Sequence, residues 1–204
     1  MIEQIKKGNV DPFRTAFPSL SFTEVGKIYE AVTPHFGPQR HFDVRQFKRA
    51  AAAVELSGVV VELGDHDGSL AQMALNDFPD ITRWIGFDVC DSPALKHPKY
   101  RHDRLFDWFH NLKEIEGDAF VSTHTLEHMD KAKAFATLAF VSNSPIKKMI
   151  LEMPFRRDGK WKGSKSMHVF KGLPSDITIE LGRLGWKIVH HAAVNINHTW
   201  GAVR

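Results

Sequence analysis

The feature that most constrains this chain is a continuous apolar run that ends at a glycine turn. The run Val59–Leu63 is followed by Gly64-Asp-His-Asp-Gly68 and then by a helical stretch over 69–76. A run of this length suits a strand that is buried on both faces of a parallel sheet. Gly64 permits a tight backbone turn, and Gly68 lets the helix begin close to the sheet. The pattern predicts a strand–turn–helix unit of an α/β protein.

Apolar runs and helical segments alternate through the rest of the chain. Strands are predicted near 84–88, 99–102, 118–123, 147–153, 186–190 and 195–203, and helices near 126–141 and 175–184. This alternation indicates a parallel sheet with helical crossovers, in which ligands bind beyond the carboxyl ends of the strands. The last two strands are joined by too few residues for a helix, so we expect them to pair antiparallel at one edge.

The first 57 residues have a different character, because they are rich in turn formers and aromatic residues. Short helices are predicted near 23–32 and 43–55, with Val25, Ile28 and Tyr29 on one helical face. We expect 1–57 to form a helical cap or lid over a core of 58–204. A chain of 204 residues has the length of a single domain.

Composition excludes several classes of protein. Cys90 is the single cysteine, which rules out an internal disulfide and suits a reducing compartment. The chain has no stretch of about 18 apolar residues and no secretory signal at its start, so we expect a soluble, cytoplasmic protein with no membrane partner. The net charge of +3 is compatible with an anionic substrate and does not demand nucleic acid.

An acidic residue ends the second strand, in Gly86-Phe-Asp88. A carboxylate at that position can accept hydrogen bonds from both ribose hydroxyls of a nucleoside. This role fits a nicotinamide dinucleotide and S-adenosylmethionine equally well. The glycine turn separates the two. A dinucleotide needs G-x-G-x-x-G for its pyrophosphate, and the spacing here is Gly64-x-x-x-Gly68.

Acidic side chains also surround the turn, at Glu62, Asp65 and Asp67. Three carboxylates would repel a pyrophosphate. The sulfonium and ammonium groups of S-adenosylmethionine are cations, which such a turn favours. The sequence therefore argues against a nicotinamide oxidoreductase.

The turn resembles motif I of the class I S-adenosylmethionine-dependent methyltransferases, E/D-x-G-x-G-x-G. Glu62, Gly64 and Gly68 match the motif, and His66 stands where its central glycine is usual, as in the G-x-N-D-G variant. Asp88 matches the acid of motif II. The resemblance implies a Rossmann-like three-layer sandwich with a mostly parallel seven-stranded sheet, an antiparallel edge strand near the C-terminus and S-adenosylmethionine as cofactor. It implies cofactor contacts from Glu62, Gly64, Asp65, His66, Gly68 and Asp88.

A second segment, Thr123-His-Thr-Leu-Glu-His-Met129, resembles the "v-L-E-H-l" stretch after the fourth strand of many small-molecule methyltransferases. The resemblance implies that His124 and Thr125 lie beside the methionine part of the cofactor and the substrate. Glu127 and His128 are expected to fix the loop and the next helix.

The same residues also match H-x-x-E-H, a zinc peptidase signature. That motif needs both histidines on one helical face. His124 falls at a strand end, before the helix, so we predict no metal.

Methyltransferases of this type place an acid after the third strand, near the adenine amino group. Asp103 and Asp107 are both candidates, and Asp103 is slightly preferred because it directly follows the predicted strand. Asp107 precedes Trp108 and Phe109, which could cover the purine ring.

The segment from Phe155 to Met167 follows the fifth strand and carries five basic residues. It has two interpretations, a lid that attracts a phosphorylated or otherwise anionic substrate and a solvated basic loop. His168 matches the histidine of a late segment in these enzymes and is a candidate general base, as is His124.

The predicted function is direct methyl transfer to a small molecule. The alternatives are a protein of this fold that binds without catalysis and a methyltransferase that modifies nucleic acid. The nucleic-acid alternative ranks lower because the basic residues cluster in one loop. The acceptor and the oligomeric state stay open.

Overall fold

The computed structural model describes residues 1–36, 42–91, 95–105, 116–156 and 167–204. Within these ranges, four helices precede the sheet: α1 (Ile2–Lys6), α2 (Asp11–Ala16), α3 (Phe22–Phe36) and α4 (Val44–Ala53). The remaining elements are β1 (Gly58–Leu63), α5 (Ser69–Asp77), β2 (Ile81–Asp88), β3 (Tyr100–Arg104), β4 (Ala119–Thr123), α6 (Lys131–Ser142), β5 (Lys148–Pro154), α7 (Pro174–Arg183), β6 (Lys187–Val194) and β7 (Asn197–Val203). Short 3₁₀ turns cover Phe17–Ser19 and Leu126–His128.

The seven strands form one sheet in the order β3-β2-β1-β4-β5-β7-β6. Strands β1 to β5 pair in parallel, whereas β7 runs antiparallel to both β5 and β6. The predicted fold class is confirmed, with β7 inserted between β5 and the edge strand β6. The strand order reverses between β1 and β4, and ligands of open α/β sheets bind at such a switch point.

The helix predicted over 126–141 begins later than expected. Residues 126–128 form a 3₁₀ turn, Met129 is extended, and α6 begins at Lys131. The cause is local, because the Asp130 side chain accepts a hydrogen bond of 2.8 Å from the Lys133 amide and so caps the helix. The 3₁₀ turn leaves Glu127 and His128 at the carboxyl edge of the sheet, next to β4.

Apolar residues of alternating orientation fill both faces of the sheet. Val61 and Phe120 belong to the cluster under α6 and α7, while Val60 and Val121 belong to the cluster under α4 and α5. A third cluster joins α1, α2 and α3 to Met167 and Val169. The helices before the sheet therefore pack against the segment that carries His168. The boundary at residue 57 stays a prediction.

No helix in the described part of the chain is long and apolar enough to cross a membrane.

Candidate functional site

The glycine turn after β1 has left-handed backbone geometry at three positions. Gly64 has φ +79°, His66 +45° and Gly68 +72°. His66 thus adopts the conformation for which glycine is usual, and histidine is among the residues that reach this region more often than others. A Cβ at Gly64 would lie 1.8 Å from Thr125 Oγ1. The missing side chain therefore lets Thr125, after β4, approach the turn at the switch point.

Asp88 lies at the carboxyl end of β2, opposite this turn. Its carboxylate accepts hydrogen bonds from the His66 amide at 3.2 Å and from the Cys90 amide at 2.9 Å. Burial raises the pKa of Asp88, although the amide of Cys90 opposes this shift. A carboxylate has about four acceptor positions, so Asp88 keeps capacity for the hydroxyls of a ligand.

Several amide groups of the turn have partners within the protein. Besides the His66 amide, the Gly68 amide donates to the Asp65 carbonyl at 2.7 Å, and the Ser69 amide donates to the Asp67 carboxylate at 2.9 Å. A pyrophosphate needs such amides unoccupied. These three amides are therefore not free to bind the pyrophosphate of a dinucleotide.

Two of the predicted cofactor-binding acids are buried and bonded to neighbouring strands. Asp65 accepts hydrogen bonds from the Tyr100 hydroxyl at 2.5 Å and contacts His102 Nδ1 at 2.9 Å, both on β3. Glu62 accepts a hydrogen bond of 2.8 Å from Trp84 Nε1. Burial and the nearby Asp65 raise the pKa of Glu62 well above its usual value. Their side chains brace the turn against β2 and β3, and direct cofactor contacts from them stay a prediction.

Asp103 lies on β3, next to Phe87 of β2, and forms an ion pair with Arg101. Its side chain is about one-third exposed, at 35 %. Asp107, Trp108 and Phe109 lie outside the described residues. The choice between Asp103 and Asp107 for the adenine contact therefore stays open.

A second polar cluster lies after β4 and contains Glu127, His128 and His168. The amides of Val169 and Phe170 donate to the Glu127 carbonyl at 2.7 and 2.9 Å, which holds His168 beside the 3₁₀ turn. Glu127 Oε1 lies 3.3 Å from His124 Nδ1 and 3.9 Å from His168 Nε2. One buried carboxylate thus faces two histidines that are 44 residues apart in the sequence.

His124 is enclosed between two carboxylates. Its Nε2 lies 3.0 Å from Glu152 Oε1, and its backbone has φ +52°. Burial alone would lower the pKa of His124, but the neighbouring Glu127 and Glu152 carboxylates raise it to about 10. His124 is therefore a cation near neutral pH.

The other two histidines have the opposite charge state. Burial, together with the neighbouring His128, lowers the pKa of His168 to about 3. Burial also lowers the pKa of His128. Both imidazoles are neutral near pH 7, so each has a ring nitrogen with a lone pair.

The helices before the sheet reach this cluster, which sequence reasoning did not anticipate. The Tyr29 hydroxyl of α3 lies 2.6 Å from His128 Nδ1, and Arg14 Nε donates to the His168 carbonyl at 2.9 Å. Burial and then the Glu127 and Asp88 carboxylates raise the pKa of Tyr29 well above its usual value. The sequence indicated only that Tyr29 shares an apolar helical face with Val25 and Ile28. That pattern does not show whether Tyr29 is a core residue or part of a site.

Glu127, His128 and His168 could hold a metal ion, because one ligand atom from each lies within 4.8 Å of the others. The signature H-x-x-E-H placed the second histidine ligand at His124. In the structure His124 pairs with Glu127 and Glu152 instead, and His168 comes from a distant segment. The prediction of no metal is not tested by these distances.

An open cavity of about 510 Å³ lies at the carboxyl end of β5, between Phe155, Arg156 and the β6–β7 hairpin at Ile196 and His198. Phe155 also packs edge-on against Phe170, with ring centroids 6.0 Å apart. The cavity therefore adjoins the segment that carries His168. Most of the predicted basic loop, 157–166, lies outside the described residues.

No protein-family model matches the chain, and no curated protein matches its sequence. Solved structures do match. A 1,6-didemethyltoxoflavin-N1-methyltransferase from Burkholderia thailandensis, solved with bound 1,6-didemethyltoxoflavin and S-adenosylhomocysteine, has a TM-score of 0.62 at 12 % identity, covering 79 % of this chain and 77 % of its own. A magnesium protoporphyrin IX methyltransferase from Synechocystis PCC 6803, with bound SAH, has a TM-score of 0.61 at 15 % identity, covering 88 % and 98 %.

A third match is a SAM-dependent methyltransferase from Archaeoglobus fulgidus, with a TM-score of 0.60 at 15 % identity, covering 78 % of this chain and 92 % of its own. Identity this low shows the fold alone. The chain has the fold of the class I S-adenosylmethionine-dependent methyltransferases, as its motifs predicted.

Proposed function

We propose that this chain binds S-adenosylmethionine at the turn between Gly64 and Asp88 and transfers its methyl group to a small molecule. The observation that carries the proposal is the turn itself. Its amides at His66, Gly68 and Ser69 are engaged within the protein, and the exposed Asp67 carboxylate beside them would repel a pyrophosphate. Asp88 keeps acceptor positions for a ribose. The turn thus suits a cationic nucleoside better than a dinucleotide.

When bound, S-adenosylmethionine supplies a methyl group on a cationic sulfur, which is a good leaving group. The acceptor forms a bond to the methyl carbon, the carbon–sulfur bond breaks with its electron pair going to sulfur, and an acidic acceptor proton passes to a base or water. The protein mainly aligns the reactants. Asp88 would orient the ribose, and Thr125, packed on Gly64, would delimit the methionine end.

The acceptor we propose is anionic. Arg156 lines the cavity at the end of β5, and Phe155 and Ile196 give that cavity apolar walls. A guanidinium recognises phosphate or carboxylate groups by paired hydrogen bonds. A small molecule with one anionic group and an apolar body fits this combination. Nucleic acid stays the lower-ranked alternative.

The base role predicted for His124 and His168 remains a prediction, and the pKa values weigh against it. His124 already carries its proton, since its pKa is raised to about 10. His168 is a weak base, since its pKa is lowered to about 3. An efficient general base has a pKa near the working pH.

Calorimetric titration of the protein with S-adenosylmethionine, S-adenosylhomocysteine and NAD tests the proposal. We expect binding of the first two and none of NAD. Asp88→Ala should weaken binding by about 1–3 kcal/mol, because the ribose hydroxyls lose their acceptor. Asp77→Ala is the matched control, since Asp77 is on α5 and pairs with Lys48 at the surface.

Equal affinity in the Asp88→Ala variant would remove this residue from the site, and preferential binding of NAD would overturn the proposal. Cofactor binding without turnover on a panel of anionic acceptors would favour the binding protein without catalysis.

A further inference from the structure

We propose that Glu127, His128 and His168 bind one divalent transition-metal ion at the carboxyl end of β4. The three side chains bring one carboxylate oxygen and two imidazole nitrogens within 4.8 Å of one another. Ligands bound at about 2.1 Å in tetrahedral or octahedral geometry lie about 3.0–3.4 Å apart. A small movement of the side chains would therefore close the set around an ion.

The Glu127 carboxylate supplies an independent indication of a ligand. Glu127 is 0 % exposed, and neither of its carboxylate oxygens has a well-formed hydrogen bond among the described residues. Its nearest contacts are His124 Nδ1 at 3.3 Å and His168 Nε2 at 3.9 Å. Buried charged groups are normally hydrogen-bonded, paired or bound to metal. The contact with His124 balances the charge but leaves the acceptor capacity of the carboxylate unfilled.

The backbone fixes the relative positions of the three ligands. Glu127 and His128 are adjacent in the 3₁₀ turn, and the segment of His168 is docked on the Glu127 carbonyl by two amides. On the other side, Arg14 Nε donates to the His168 carbonyl at 2.9 Å. The third ligand is therefore held from both sides although it is distant in sequence.

His128 is also oriented as a metal ligand requires. Its Nδ1 lies 2.6 Å from the Tyr29 hydroxyl and 3.4 Å from the Met167 carbonyl, which leaves Nε2 for an ion. Histidine ligands usually engage their second nitrogen in such a hydrogen bond, and this fixes the ring and its tautomer. Tyr29 is thus a positioning residue supplied by α3.

The donor set selects the class of metal. Two imidazoles and one carboxylate suit Zn²⁺, Mn²⁺, Fe²⁺ or Co²⁺, whereas Ca²⁺ and Mg²⁺ prefer oxygen donors. Three protein ligands leave at least one coordination position open, as in catalytic zinc sites. An oxygen of the acceptor could occupy that position. This role for the metal rests on the proposed function, whereas metal binding itself does not.

Titration with Co²⁺ and Zn²⁺ tests the site. We expect one equivalent of Co²⁺ with the visible absorption of a low-symmetry complex, displaced by Zn²⁺. His168→Gln and Glu127→Gln should each weaken binding by more than the roughly 10–100-fold that loss of an outer partner causes. Tyr29→Phe should fall within that range. His191→Gln is the control, because His191 is an exposed histidine that stacks on His198 and Trp200 away from the cluster.

Circular dichroism of each variant shows whether it is folded, and calorimetry with S-adenosylmethionine is done on the same samples. The metal site is overturned if the folded wild type takes up no metal, or if His168→Gln keeps the wild-type affinity while His191→Gln loses it. Intact cofactor binding in such a result would leave the proposed function standing. Metal binding without cofactor binding would overturn the proposed function and leave the metal site.

Discussion

Two buried pairs of a carboxylate and a histidine lie at the carboxyl edge of the same sheet, and they differ in how well their hydrogen bonds are satisfied. Asp65 contacts His102 at 2.9 Å and the Tyr100 hydroxyl at 2.5 Å. Glu127 faces His124 and His168 at 3.3 and 3.9 Å, and neither contact forms a good hydrogen bond. Both carboxylates are almost completely buried, at 3 % and 0 % exposure.

The difference indicates two kinds of role. The Asp65 carboxylate has two protein partners and joins the glycine turn to the edge strand β3, so it stabilises the crevice. The Glu127 cluster is held in place by backbone hydrogen bonds while its side-chain capacity is incomplete, so it is suited to a ligand. Buried polar groups without full partners are retained where they have a function.

The strongest test of this comparison is Asp65→Ala. The substitution leaves the Tyr100 hydroxyl and His102 without their shared partner, and we expect the free energy of unfolding to fall by about 3–5 kcal/mol. Asp103→Ala is the control, since its ion pair with Arg101 is partly exposed and should contribute less than about 1 kcal/mol. Urea denaturation measures both.

Glu127→Gln belongs to the same experiment. It should destabilise the protein less than Asp65→Ala, because the Glu127 carboxylate has no well-formed hydrogen bond among the described residues to lose and His124 keeps Glu152. A loss as large as that in Asp65→Ala would break the comparison and make Glu127 a structural residue.

His124 gives a prediction on pH. Its pKa is raised from 6.5 to about 10, so its contribution to stability is fully present below about pH 6.5 and is lost as the pH rises towards 10. At about 1.4 kcal/mol for each pH unit, the full difference between the two pKa values corresponds to about 5 kcal/mol. His124→Gln should flatten this alkaline decline, measured by urea denaturation from pH 6.5 to 10. An unchanged decline would mean that His124 is not charged in the folded protein.

The local patterns were sufficient to predict the sheet and the glycine turn. Apolar runs mark the strands because those strands are buried on both faces, and Gly64 and Gly68 mark the turn because the backbone is left-handed there. His66 breaks the motif in sequence but keeps the geometry at φ +45°. Here the fold tolerates a residue that the pattern alone did not explain.

The partners of the site residues could not be predicted in this way. His168 lies beside Glu127 because the amides of Val169 and Phe170 donate to the Glu127 carbonyl. Tyr29 contacts His128 because α3 packs across the site. Both contacts depend on tertiary packing over long sequence separations. The signature H-x-x-E-H indicated His124 as a ligand because it assumes that both histidines lie on one face of a helix. In the structure Leu126–His128 form a 3₁₀ turn, and the helix begins only at Lys131.

Each cluster contains one tyrosine, so the same type of substitution, tyrosine to phenylalanine, can be compared in both. Tyr100→Phe removes a hydroxyl that donates to the Asp65 carboxylate, whereas Tyr29→Phe removes one that contacts the His128 ring. A hydrogen bond to a charged group contributes about 1.5–3 kcal/mol and a neutral one about 1 kcal/mol. We therefore expect Tyr100→Phe to lower the free energy of unfolding more than Tyr29→Phe does.

Ring packing is retained in both variants, so the difference reports the hydroxyl partners. Urea denaturation at pH 7 without added metal measures it. Equal losses of unfolding free energy in the two variants would show that the Tyr29 hydroxyl bond to His128 stabilises the fold as much as the Tyr100 bond to Asp65. The proposed difference between a structural Asp65 cluster and a ligand-binding Glu127 cluster would then not hold.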